Sequence, residues 1–115
     1  MERPIPNSWR PVFRRIVNAL VERDYGLKTP IFGVMPVSEA TANHIENYIQ
    51  EYGTKLVALP EETWGSSVCI WYGSHWDAKV DLWTQEEGRS DMALSVRITE
   101  TSPDFSFEIH MVYVP

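Results

Sequence analysis

Cysteine is almost absent from this chain: Cys69 is the single one among 115 residues. One thiol cannot close an internal disulfide, and by itself it cannot make a zinc site of the common multi-cysteine kind. Long apolar runs are absent as well. No stretch approaches the roughly 18 to 20 residues that cross a bilayer, and Arg14 and Arg15 interrupt the apolar residues that would form the centre of a signal peptide. A cytoplasmic location without membrane association is the expectation. Glycine-rich phosphate loops, dinucleotide fingerprints and serine elbows are missing, so the common nucleotide enzymes find no support and no motif calls for a cofactor. Internal repeats, low-complexity tracts and long linkers are missing too.

What is present has the composition of an ordinary globular protein, 43% hydrophobic and 23% charged. The length suits one domain over residues 1–115 and leaves too little chain for two independent cores. The net charge of −6 is unevenly spread. Residues 1–37 hold six bases (Arg3, Arg10, Arg14, Arg15, Arg23, Lys28) against three acids (Glu2, Glu22, Asp24), a net +3, so the rest carries −9. An acidic surface repels phosphate backbones and draws basic partners, which disfavours nucleic acid.

The apolar spacing changes period along the chain. Val12, Phe13, Ile16, Val17, Leu20 and Val21 recur at helical spacing, predicting a helix over residues 9–23 with Ser8 as N-cap and Pro11 in the first turn. Gly26, Pro30, Gly33 and Pro36 mark Tyr25 to Val37 as an extended connection packed along the core. Ser38 caps a second expected helix. Ile45, Tyr48, Ile49 and Tyr52 share one face of it, and Gly53 stands where a left-handed residue ends a helix.

After Gly53 the period becomes two. Lys55–Leu59 and Ser67–Tyr72 read as strands closed by Pro60 and Gly73. Val80 and Leu82, then Met92, Leu94, Val96 and Ile98, then Phe105, Phe107, Ile109 and Met111 alternate as in sheets buried on one face. The expected fold class is α+β, with two N-terminal helices packed on one face of a four- or five-stranded, mainly antiparallel sheet.

One stretch concentrates the candidates for function. In "VDLWTQEEGRSD", residues 80–91, Gln85–Arg89 reads as a hairpin loop with Gly88 supplying a positive φ, and Arg89 as the partner of neighbouring carboxylates or of loop carbonyls. With Val80 and Leu82 facing the core, Lys79, Asp81 and Trp83 face away, joined by Ala93, Ser95 and Arg97 and by Ser106, Glu108 and His110, with Trp71 a further candidate. Tryptophan is costly to leave wet and is enriched where proteins meet. Asp81, Trp83 and Arg97, edged by Glu86, Glu87 and Arg89, are the expected binding residues; the competing expectation is that the N-terminal arm or the Tyr25–Val37 connection covers Trp83.

Other constellations carry less. Cys69 and His110 have the chemistry of a nucleophile and base, but nothing in the sequence brings them within reach of each other. His75, Asp77 and Asp81 in "SHWDAKVD" match no metal signature. Glu61 and Glu62 suit the start of a helical turn. Arg10, Arg14 and Arg15 are too few for a nucleic-acid face. No catalytic residue and no metal ligand is assigned.

Trp76, the run "VDLWTQEEGRSD" and the closing "VYVP", together with the Trp9 helix and "DYGL" at Asp24–Leu27, resemble a group of small bacterial proteins that share a domain of unknown function. The resemblance implies a bacterial cytosolic protein and carries no activity, so no site residue transfers from it. Two functional classes are expected. The favoured one is a small acidic, non-enzymatic protein-interaction module, in the manner of an immunity or accessory protein, that engages another protein, basic in character, or a second copy of itself. The alternative is a small-ligand binder or enzyme with a pocket between helices and sheet. These differ in shape: a broad aromatic patch for the first, a concave cavity with convergent polar groups for the second.

Overall fold

The computed structural model describes residues 1–115. The order of elements is strand β1 (Glu2–Pro4), helix α1 (Arg10–Val21), helix α2 (Glu39–Tyr52), then strands β2 (Val68–Trp71), β3 (Trp76–Thr84), β4 (Gly88–Glu100) and β5 (Phe105–Tyr113), with single 3₁₀ turns at Asn7–Trp9 and Glu61–Gly65. The strands form one sheet in the order β1-β2-β3-β4-β5, antiparallel throughout. This is an α+β protein, but its helices are not both N-terminal: a strand precedes α1, and α2 lies mid-chain.

The fifth strand is Glu2–Pro4, and Lys55–Leu59 is not a strand. Only Leu56 bridges Thr84, with the Val57 N–H donating to the Trp83 carbonyl at 3.0 Å. Pro60 lacks a donor with which to extend that ladder. Instead Leu56 and Leu59 turn inward and are buried.

Helix α1 forms where the stripe predicts, burying Phe13, Ile16, Val17 and Leu20. Ser8 does not cap it. The Asn7–Trp9 turn feeds straight into the helix, Trp9 stands at the N-cap without a side-chain bond, and Pro11 sits in the first turn, where its missing N–H leaves no partner unsatisfied. Helix α2 ends as its sequence implies. The Ser38 Oγ accepts from the Thr41 N–H at 3.1 Å, and Gly53 takes a left-handed φ of 87°. Ile45 and Ile49 join the stripe of α1, Val80, Leu82, Leu94, Val96 and Ile98 in one core cluster.

Two irregularities set which residues face that core. Between β4 and β5 the register shifts, with Ser95 opposite Met111 and Val96 opposite Ile109, so His110 is an extra residue. A bulge of this kind reverses the parity beyond it. Val112 is consequently buried while Met111, expected inside, is not. The second shift lies between Asp81 and Trp83, and there Ser90 folds inward and donates from Oγ to the Leu82 carbonyl at 2.8 Å.

The Tyr25–Val37 connection does run along the core, closing the edge of β5. Phe107 donates to the Gly33 carbonyl at 2.9 Å and accepts from the Met35 N–H at 2.8 Å.

Candidate functional site

The helices cover one face of the sheet, and the other face can be mapped row by row from the register. Ile70, Asp77, Arg97 and Glu108 lie abreast across β2 to β5; Val68, Lys79, Ser95 and Met111 form the next row; Asp81, Ala93 and Tyr113 the third; Trp83 and Arg89 the last. Ala93 is nearly inaccessible at 1% exposure, yet it alone of the buried apolar side chains lies outside the core cluster. Its neighbours in the row are Asp81 on β3 and Tyr113 on β5. The Tyr113 phenol is pushed up from its usual range by burial, then by Tyr72, Asp77 and Asp81.

Of the expected binding residues, four share this face: Trp83, Asp81, Arg97 and Arg89. Trp83 is half-buried, its ring 3.8 Å from where a Cβ on Gly88 would be, and its buried indole N–H has no partner. Asp81 is held from behind: its carboxylate accepts from the Ser66 hydroxyl, its N–H donates to Ser67 Oγ at 3.0 Å, and its carbonyl accepts from Thr63 Oγ1 at 2.8 Å. Arg97 stands 3.9 Å from Asp77. That pair is half-exposed, so its energetic contribution is small, about 0 to 1 kcal/mol, but it sets the direction of both side chains.

The acidic turn is oriented differently. The connection between β3 and β4 is the three residues Gln85–Glu87, shorter than expected, followed by Gly88 at φ 74°. Glu87 accepts from the Tyr52 hydroxyl at 3.1 Å and from Thr84 Oγ1 at 3.3 Å, while Glu86 accepts from the Lys55 N–H at 3.3 Å. Both carboxylates are thus tied toward the end of α2 instead of edging the outer face. Arg89 shares the row of Trp83 but takes part in none of the ion pairs, which are Arg14–Glu61, His75–Asp77 and Arg97–Asp77. The expected bond from Arg89 to its neighbouring carboxylates is not made.

Trp71 belongs to the opposite face. It pairs with Trp76 on the same face as the pair Cys69–Ala78, which faces the helices, and it extends an aromatic chain from Trp9, edge-on to Trp76 at 6.1 Å, to Trp71, tilted against Trp76 at 5.2 Å. Trp71 and Tyr72 end the β2–β3 hairpin as exposed aromatics, with Tyr72 stacked on His75. Ala93, read as an open surface position, forms the floor of the face. Tyr72 and Tyr113, which sequence reasoning missed, supply its aromatic substance. Tyr113 had a visible signal, since it stands two places beyond Met111 in β5.

The remaining candidates separate. Cys69 is buried on β2 under the helices, with its Sγ 3.6 Å from the Pro4 carbonyl, and burial raises its thiol pKa while Arg3 opposes the shift. His110 is exposed on β5, three strands away, or about 14 Å at ordinary strand spacing. Asp77 is shared between His75 and Arg97, Asp81 is bound to Ser66, and no three His, Cys, Asp or Glu side chains converge in a way that could hold a metal ion. Arg10 and Arg14 both lie over the Trp64 ring, at 5.3 and 5.5 Å, and Arg14 also pairs with Glu61 in the 3₁₀ turn.

The fold and this face define a two-layer α+β protein with one sheet face covered by helices and the other open. The chain belongs to a family described as a domain of unknown function (DUF7668), whose model matches residues 17–115. No curated protein and no solved structure matches it. No helix is long and apolar enough to cross a membrane.

Proposed function

We propose that this protein is a non-enzymatic interaction module and that the open sheet face, centred on Trp83, Asp81, Arg97 and Tyr113, receives a protein partner. The observation that carries this reading is the combination of large aromatics with alternating charges on a face that neither the N-terminal arm nor the Tyr25–Val37 connection crosses. The arm is β1 at the sheet edge, and the connection runs beside β5. Tryptophan, tyrosine and arginine on a rigid sheet lose little conformational entropy on binding, which is why such residues dominate the energetics of interfaces. With a net charge of −6 the chain attracts cationic proteins at long range. A second copy is the competing partner, and immunity-type masking of a basic protein is one form the activity would take in a bacterial cytosol.

The test replaces Trp83 with Ser and Arg97 with Glu separately, measuring thermal stability, self-association by sedimentation, and capture of partners from the native host. Loss of association with stability retained supports the reading. Unfolding of Trp83→Ser, together with unchanged association in Arg97→Glu, would remove it.

A further inference from the structure

A second site lies in the helical layer, where the C-terminal ends of α1 and α2 meet the β3–β4 turn. A cleft of about 350 Å³ opens there, floored by Leu20, Ile49 and Leu56 and rimmed by Arg23, Lys55 and Thr54. Volume, apolar floor and a few convergent polar groups together are the usual anatomy of a small-molecule site.

One feature sets this cleft apart: Arg23 takes a backbone conformation suited to glycine. Helix α1 ends in a left-handed turn in which the Asp24 N–H donates to the Ala19 carbonyl at 2.8 Å and the Arg23 N–H to the Leu20 carbonyl at 3.1 Å, with Arg23 at φ 63°. Glycine is the favoured residue at this position, as at Gly53 in α2, because a Cβ strains the left-handed region. Strain of this kind tends to persist where the side chain serves a purpose. Here it sets the guanidinium on the rim. Those hydrogen bonds occupy the Ala19 and Leu20 carbonyls near the end of α1.

Neither Arg23 nor Lys55 has an ion-pair partner in the chain. With Glu86, which also lines the cleft, they leave the rim with a charge of one positive unit. We infer that this cleft binds a small organic monoanion, a carboxylate with a compact apolar body, its charge between Arg23 and Lys55 and its apolar part on Leu20, Ile49 and Leu56. Tyr25 borders the cleft as well, and burial keeps its phenol protonated, so it stands ready as a donor.

The probe is phenylacetate, compared with uncharged phenylacetamide, followed by amide chemical shifts of the full chain. Phenylacetate should shift Arg23, Thr54 and Lys55 saturably with an affinity of about 1 mM or better, and the amide should bind about tenfold more weakly. Arg23→Gly is the decisive variant, because it should raise the melting temperature by about 4 °C while weakening phenylacetate about tenfold. Lys55→Gln should weaken it without changing the fold. Absence of saturation up to about 10 mM, equal binding of acid and amide, or full affinity in Arg23→Gly would each overturn the inference.

Discussion

The Tyr52 hydroxyl and the Glu87 carboxylate meet at 3.1 Å, joining the last turn of α2 to the turn between β3 and β4. The same hydroxyl accepts from the Asp91 N–H at 3.1 Å, at a point of β4 beyond the reach of β5. One phenol thereby serves a backbone donor that the sheet leaves open. Tyr52→Phe should destabilise the protein by about 0.5 to 1.5 kcal/mol, the usual net contribution of such a bond. Urea denaturation with an unchanged slope would measure it, and amide exchange at Asp91 should accelerate selectively.

Ile16 has no exposure and lies in the middle of the α1 stripe. Ile16→Ala should cost about 2 to 5 kcal/mol, because a packed core relaxes only partly around the cavity. Val12, on the margin of the same stripe, should cost distinctly less when truncated. Chemical denaturation of both variants checks the gradient, and equal costs would contradict the burial assigned to α1.

Burial holds the phenols of Tyr25 and Tyr113 protonated above their usual range. A group whose pKa is raised in the folded state retains its proton there longer than in the unfolded chain. The stability it contributes is complete below the unfolded pKa and is lost as pH rises through the folded one. Stability should therefore decline above about pH 10. Tyrosinate absorbance should show two classes of phenol, the late class ionising together with unfolding.

Cys69 combines burial with a raised thiol pKa, so little thiolate is available to react. An aromatic disulfide reagent at pH 8 should label the native chain at least about a hundredfold more slowly than the denatured chain, following the fraction of time the core is open. Rapid native labelling would mean that β1 and β2 separate readily.

Much of the local structure could be read from the residues because its causes are local. Ser38 and Gly53 bound α2 through bonds to chain a few residues away. The alternation of Val80, Leu82, Leu94, Val96 and Ile98 reports burial directly, because a strand turns alternate side chains to one layer. Ser8 misled because Trp9 is buried and draws the preceding chain into a 3₁₀ turn, an outcome determined by packing against Trp76 and Phe105. Lys55–Leu59 misled because an apolar run of strand length has no strand without a ladder, and β3 offers it only its last residues.

The candidate face was legible in part. Asp81 and Trp83 follow from the alternation along β3, where Ala78, Val80, Leu82 and Thr84 stay buried across the register shift, and Arg97 follows from the alternation along β4. Trp71, Met111 and the acidic turn did not follow. The partners of a hairpin's end, an extra residue at His110 and the hold of Tyr52 on Glu87 all depend on chain distant in sequence.

The sequence by itself determined the two amphipathic helices, the alternating strands, the acidic balance and the absence of any motif for a nucleotide, metal or disulfide. All of these rest on residue chemistry and short-range periodicity. Only the tertiary structure decided that Glu2–Pro4 completes the sheet, that Tyr113 pairs with Ala93, and that Arg23, Thr54 and Lys55 converge on one cleft. Each of these brings together residues far apart along the chain, where the gain from shared burial, not local preference, selects the arrangement.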